Sequence, residues 1–140
     1  MKGGRHMDFA LSEEQQAIYD MARDFGAEHI APFADKWDET AEMPREMLEE
    51  AAKLGLAAIY VPEEQGGSGL TRLDATLIFE ALAISCPSVS SFLSIHNMIA
   101  WMVATFGNET LQDKYLADLC QMKKIGSYCL TEPESGSDAA

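Results

Sequence analysis

Positive charge is scarce in this 140-residue chain: ten Lys plus Arg stand against 23 Asp plus Glu, for a formal net charge of −13. Such a field repels a phosphate backbone or an anionic lipid surface, which excludes nucleic acid and membrane as natural partners. A small anion is not excluded, because one local pocket can oppose the global charge. Cysteine is equally sparse. Cys86, Cys120 and Cys129 lie far apart and form no CxxC pair, so the sequence carries neither a disulfide framework nor a zinc site. A reducing, intracellular compartment fits that usage: cytoplasm in a bacterium, mitochondrial matrix in a eukaryote. No apolar run approaches the roughly 20 residues needed to cross a bilayer. His29 and His96 have neither HxxxH nor HExxH spacing, so no metal site is expected. There is no internal repeat or low-complexity tract.

What is present is a globular composition, 47% hydrophobic and 24% charged, with helix signals in succession. The opening MKGGRHM resembles the remnant of an expression tag, which sets residues 1–7 apart from the rest. Ser12 and Gln15 form a capping box. Ile18, Met21, Ala22, Phe25 and Ile30 then mark one face of a helix from about Glu13 to about Ile30. FADKWDETAE reads as a polar continuation into a loop. Pro44 stands where a first helical residue belongs, Met47, Leu48 and Ala51 give an apolar face, and Gly55 is a C′ residue. LAAIY reads as a brief extended piece. Thr71 and Asp74 cap a helix carrying Leu73, Leu77, Ile78 and Leu82. Another runs from about Ser88 to Phe106, with Phe92, Ile95, Ile99, Met102 and Val103 inward. Gly107 and Asn108 end it and start the next, with Leu111, Tyr115, Leu116 and Leu119 inward. IGSYCL is the one convincing strand signal. The expected fold is all-α, an up-down bundle of about five helices over residues 8–125 with one β-strand stub in 126–140.

Generic chemistry is thin. Gly66, Gly67 and Gly69 make a turn-rich connection, but no Lys-Ser/Thr follows them and no βα unit precedes them, so this is no phosphate loop. Glu80, in LIFEALA, is a carboxylate beside an apolar face. It is either a base with a raised pKa or, more commonly for such a residue, paired with a neighbouring cation or turned to solvent. Ser94, His96 and Asn97 do not make a nucleophilic triad, because residues two apart on a helix do not face each other.

The closing SYCLTEPESGSDAA is different: an aromatic, then C-x-T-E-P, then a small-residue G-S-D turn. It resembles the flavin-binding signature of the acyl-CoA dehydrogenase family. FALSEEQQAIYDMARDF, LGLAAIYVPEEQGGSGL and SIHNMIAWMVATFGNE are also similar to that family's N-terminal half, so the resemblance covers residues 8–140. Within the family, the late segments look most like members acting on short branched acyl-CoA.

The resemblance implies an enzyme of three domains, with FAD between the middle and last, that oxidises an acyl-CoA to the 2,3-enoyl-CoA. A carboxylate removes the α-proton and the β-hydrogen leaves as hydride to the flavin. Residues 8–125 then match the N-terminal helical domain, and 126–140 the first strand and flavin-motif loop of the middle β domain. The family's base is a glutamate of the C-terminal portion, so no residue here is catalytic, and the chain is expected to be a fragment, inactive alone.

Cofactor-binding positions carried over are Tyr128, Cys129, Leu130, Thr131, Glu132, Pro133, Glu134, Ser135, Gly136 and Ser137. The chemistry suits them. An isoalloxazine needs an apolar or aromatic face such as Tyr128 and Leu130, and a donor such as Thr131 at its polar edge. Gly136, between Ser135 and Ser137, lets backbone N–H groups approach phosphate or thioester oxygens. Ser137 matches a serine that also touches the acyl-CoA, while Glu134 departs from the commoner glycine. Leu93, His96 and Asn97 are candidates for the acyl end of the substrate pocket, or else core packing. Partners implied are an acyl-CoA, an electron-transferring flavoprotein and further copies of the parent chain. Two other readings stay open: a stand-alone helical module binding acyl-CoA or a protein, and a flavin oxidase such as an acyl-CoA or nitroalkane oxidase.

Overall fold

A computed structural model describes residues 10–138; the tag-like residues 1–7 lie outside them. Six α-helices follow one another: α1 Glu13–His29, α2 Ala34–Thr40, α3 Arg45–Lys53, α4 Arg72–Ser85, α5 Pro87–Phe106 and α6 Glu109–Cys120. A 3₁₀ turn, Glu63–Gln65, lies between α3 and α4. The fold is all-α, as expected, with one helix more. The extra one is α2, where the acidic stretch winds into two turns that bury no residue.

Local chemistry sets most of the helix ends. Ser12 accepts from the Gln15 amide while Gln15 returns a bond to Ser12, and Thr71 with Asp74 repeats the arrangement at α4. Asn108 caps α6 by accepting from the Leu111 amide. Pro44 sits one position earlier than expected, as the extended residue before α3. Gly55 adopts φ 78° just beyond the last turn of α3.

α4 packs against α1 and α5, and α5 against α6. The larger core gathers Ala22, Phe25, Leu48, Ile59, Ile78, Leu82, Val89 and Leu93, and a smaller one joins Val61, Ala100 and Ala104 to Leu116 and Leu119. Residues 56–61 are not extended. They form buried turns, and Ser68, Gly69 and Leu70 double back to donate to the carbonyls of Ala58, Val61 and Ile59. Gly67 makes this return possible, since a Cβ there would fall 2.1 Å from the Val61 carbonyl oxygen.

α5 has the length and apolar composition of a bilayer-spanning helix, which the sequence reading did not anticipate. It carries His96 and Asn97 at 1% and 0% exposure and packs between α4 and α6, as the central helix of a bundle does. Its buried stripe is also not the expected one. Val89, Leu93, His96, Asn97, Ala100 and Ala104 face inward, whereas Ile95 is exposed and Phe92, Ile99, Met102 and Val103 are only partly covered. On α6, Leu111 likewise points outward.

The expected strand is absent among the described residues: 125–130 carry no ladder, and the one β-bridge pairs Glu132 with Ser135 inside the following turn. A strand is defined by its hydrogen-bonded neighbour, and no extended segment lies beside this one.

Candidate functional site

Two pieces of chemistry meet where the chain leaves the bundle. One is the polar centre of α5; the other is the segment from Gly126 to Asp138.

Asn97 lies at the middle of α5 and is fully buried. Its Oδ1 accepts from the Ile59 amide at 2.6 Å, and its Nδ2 donates to the Leu56 carbonyl at 2.7 Å and to the Leu93 carbonyl at 2.9 Å. The side chain thus serves a turn whose backbone has no helix or sheet to satisfy it. His96, one position earlier, points toward α6 and the chain exit. Its Nε2 is 3.0 Å from the Leu119 carbonyl oxygen, and its Nδ1 accepts from the Gly126 amide at 3.1 Å. Burial lowers the His96 pKa, and the bond to Leu119 opposes that more weakly. Leu93 packs at 0% exposure in the main core. All three candidates for the acyl end therefore face inward here. The outward flank of the same helix offers Phe92, Ile95 and Ile99 instead.

Gly126 lies against α5, where a Cβ would sit 2.5 Å from Ile99 Cγ2. The preceding turn is pinned as well. Met122 is buried at φ 56°, and Arg45 Nη2 donates to the Lys123 carbonyl at 2.7 Å. Lys124 pairs with Asp118. Neither Arg45 nor Gly126 was marked by the sequence. Arg45 reaches across 78 positions, and Gly126 follows a lysine pair that reads as an ordinary helix stop.

Beyond Gly126 the segment runs over the surface. Tyr128 and Leu130 are about half exposed, and Cys129, Thr131, Glu132, Pro133 and Glu134 are exposed. The Glu132 amide donates to the Ser135 carbonyl at 2.7 Å and the Ser135 amide to the Glu132 carbonyl at 3.2 Å, which closes a turn around Pro133 and Glu134. Ser135 Oγ donates to the Asp138 carbonyl. Gly136 is partly buried beside Thr131, and Ser137 is exposed. The ten carried-over positions thus follow one another along a largely exposed segment, with apolar groups at its start and hydroxyls and amides at its end. That composition fits one edge and one face of a flavin. The remaining walls of such a pocket have no counterpart among the described residues.

Other candidates fall away. Glu80 is exposed. His29 lies on the surface, far along the chain from buried His96, and no group of three potential metal ligands occurs among the described residues. A groove of about 490 Å³ between α2 and the α4–α5 corner is lined by Trp37, Asp38, Met43, Cys86 and Val89, and contains none of residues 126–138.

Residues 12–123 match the model of the acyl-CoA dehydrogenase N-terminal domain. Isobutyryl-CoA dehydrogenase of Dictyostelium discoideum mitochondria is 52% identical over 129 residues, 92% of this chain and 31% of that protein. The mitochondrial enzyme of the same name from Bos taurus is 46% identical over 130 residues, 93% of this chain and 31% of that protein. Among solved structures, an FAD complex of PigA superposes with a TM-score of 0.86 at 34% identity, covering 95% of this chain and 36% of that one. The chain thus spans about a third of the length of the relatives it matches. With most of the chain inside one family model, and with the fold shared, it belongs to the acyl-CoA dehydrogenase family as that family's N-terminal domain.

Proposed function

We propose that this chain is the N-terminal part of an FAD-dependent dehydrogenase that converts a short branched acyl-CoA, isobutyryl-CoA in the first instance, to its 2,3-enoyl-CoA. The observation that carries the reading is residues 128–137: a solvent-facing surface with an aromatic, a free threonine hydroxyl and a small-residue turn, placed at the end of a family-type helical domain. Residues 8–125 are that domain, and 126–140 begin the next.

When bound, FAD supplies the acceptor for the substrate's β-hydrogen. This chain's residues hold and orient. Tyr128 and Leu130 offer the apolar face. Thr131 donates at the polar edge, where donors stabilise developing negative charge. The amides of Gly136 and Ser137, which the turn leaves unused, approach phosphate or thioester oxygens, while the Ser135 amide closes the turn. The outward flank of α5 forms the acyl end, through Phe92, Ile95 and Ile99 in place of the inward Leu93, His96 and Asn97. The base that takes the α-proton lies on another part of the parent protein. So do most surfaces for an electron-transferring flavoprotein and for assembly into a homo-oligomer; the relatives in Dictyostelium and cattle are mitochondrial, which supports a mitochondrial compartment for the parent.

The test is a graft. Residues 8–138 replace the matching segment of the Dictyostelium enzyme, and the visible spectrum is recorded before and after isobutyryl-CoA. The expected result is a yellow chimera bleached by substrate, while the 140-residue chain alone is colourless and inactive. A folded chimera without flavin, or one that is yellow but unbleached, overturns the reading.

A further inference from the structure

We propose that His96 is a positioning residue: its ring, held as the neutral Nε2–H tautomer, fixes where the 127–137 segment leaves the helical bundle.

The two contacts of the ring define the tautomer. The Gly126 amide can only donate, so Nδ1, at 3.1 Å, must carry a lone pair. The Leu119 carbonyl can only accept, so Nε2, at 3.0 Å, must carry the hydrogen. The opposite tautomer sets hydrogen against hydrogen at Gly126 and lone pair against lone pair at Leu119. A doubly protonated ring keeps the second contact and loses the first. With 1% exposure, the ring has no water to substitute for either partner.

The second half of the device is Gly126. Its amide reaches Nδ1 because no Cβ separates the backbone from Ile99; an added one would lie 2.5 Å from Cγ2 and 2.7 Å from Cβ of that residue. Downstream, among the described residues, the hydrogen bonds of 127–138 stay within the segment, at Glu132, Ser135 and Asp138. The Gly126 amide is therefore the last hydrogen bond from this backbone to the bundle. A surface meant to meet a planar ligand has to start from a fixed point, and His96 supplies it from the middle of a helix packed between α4 and α6.

The proposal leans on the functional reading above only in treating 127–137 as a ligand-binding motif, and the experiment contains no flavin, so either idea can fail alone. Nitrogen-15 NMR of the His96 ring in the wild-type chain reads the tautomer directly. The expected spectrum has Nδ1 unprotonated and Nε2 protonated; a protonated Nδ1 at neutral pH overturns the proposal whether or not any variant folds.

Two substitutions then separate the contacts. His96→Asn places an acceptor near the Nδ1 position, and His96→Gln a donor near the Nε2 position. Amide hydrogen exchange at Gly126 is expected to stay near wild type in His96→Asn and to rise about five- to tenfold in His96→Gln, the scale of one net hydrogen bond. The Ile59 amide, held by Asn97, serves as the internal reference and should not change between them. Equal acceleration at Gly126 and Ile59 in both variants would mean that the ring merely fills space.

Discussion

Asn97 satisfies, with one side chain, the backbone of a turn that neither helix nor sheet satisfies. Truncation to alanine would leave the Ile59 amide and the Leu56 carbonyl without partners in a site closed to water. At roughly 1–3 kcal/mol for each of the two buried orphan groups, Asn97→Ala should cost about 2–6 kcal/mol in urea unfolding with an unchanged m-value. A loss below 1 kcal/mol would show that water or a relaxed turn replaces the amide. His96 adds a pH dependence whose sign follows from burial. The folded state favours the neutral ring, so the unfolded chain takes up the proton first. The stabilisation is complete above the ordinary histidine value near 6.5 and declines as pH falls through it. The neighbouring titratable groups leave that sign unchanged: Asp118 pairs with Lys124, burial raises the Cys120 thiol, Asp74 bonds to Thr71, and Glu80 is exposed. Melting temperature should drop between pH 7 and 5 in the wild type, and the slope should be shallower in His96→Gln. Parallel slopes in the two proteins would remove His96 as the cause.

At the scale of elements, α4 begins on a pair that works twice. Thr71 Oγ1 accepts from the Asp74 amide at 3.2 Å, while the Asp74 carboxylate accepts from the Thr71 amide at 2.9 Å and hydroxyl at 2.6 Å. These bonds, the hydroxyl's first, hold the Asp74 carboxyl below the usual carboxylate range against the opposing effect of burial. Its stabilisation is present above the ordinary aspartate value and is lost as pH falls below it. Thr71→Ala should therefore cost about 1 kcal/mol at neutral pH and flatten the acid limb of the stability curve below about pH 4. An acid limb as steep as wild type would place that loss elsewhere. This box was legible in the sequence, as were the Ser12 and Asn108 caps, because capping is local chemistry spanning three residues. The inward face of α5 was not legible. Eleven of the sixteen positions from Val89 to Ala104 are apolar and they fall on several sides of the helix, so a hydrophobic count cannot choose a stripe. The choice fell to His96 and Asn97, whose polar atoms are needed inside. The C-terminal strand failed for a complementary reason: Tyr128 to Leu130 have strand-forming character, yet pairing depends on a neighbour that no local pattern encodes. The ten carried-over positions came from a motif, whereas the pairing of His96 with Gly126, 30 positions apart, exists only in the folded chain.

The whole molecule leaves one side unfinished. Ile125 and Tyr128 flank Gly126, which rests on Ile99. Ile125, Tyr128 and Leu130 of the segment are exposed, and so is Ile95 on the helix against which Gly126 rests, so apolar groups lie open on both sides of that contact. Such a surface on a small domain marks a contact face. In the parent enzyme proposed above it meets ligand and neighbouring domain; in the 140-residue chain alone it is open to other copies. A net charge of −13 sets these copies against one another, and salt screens that repulsion with a Debye length that falls from about 10 Å at 0.1 M to about 3 Å at 1 M. Burial of apolar area is not weakened by salt. Self-association should therefore increase with protein concentration and, at fixed concentration, with ionic strength, the reverse of what an ion-paired interface shows. Ile95→Lys places a charge in the middle of the face on a side chain already exposed, so the fold should keep its melting temperature within about 1 kcal/mol of stability while association weakens. Sedimentation velocity across a salt series compares the two proteins directly. A single monomer boundary for the wild type at high concentration and high salt would mean that the face is covered within the chain itself, and association that persists in Ile95→Lys would place the contact on another side of the bundle.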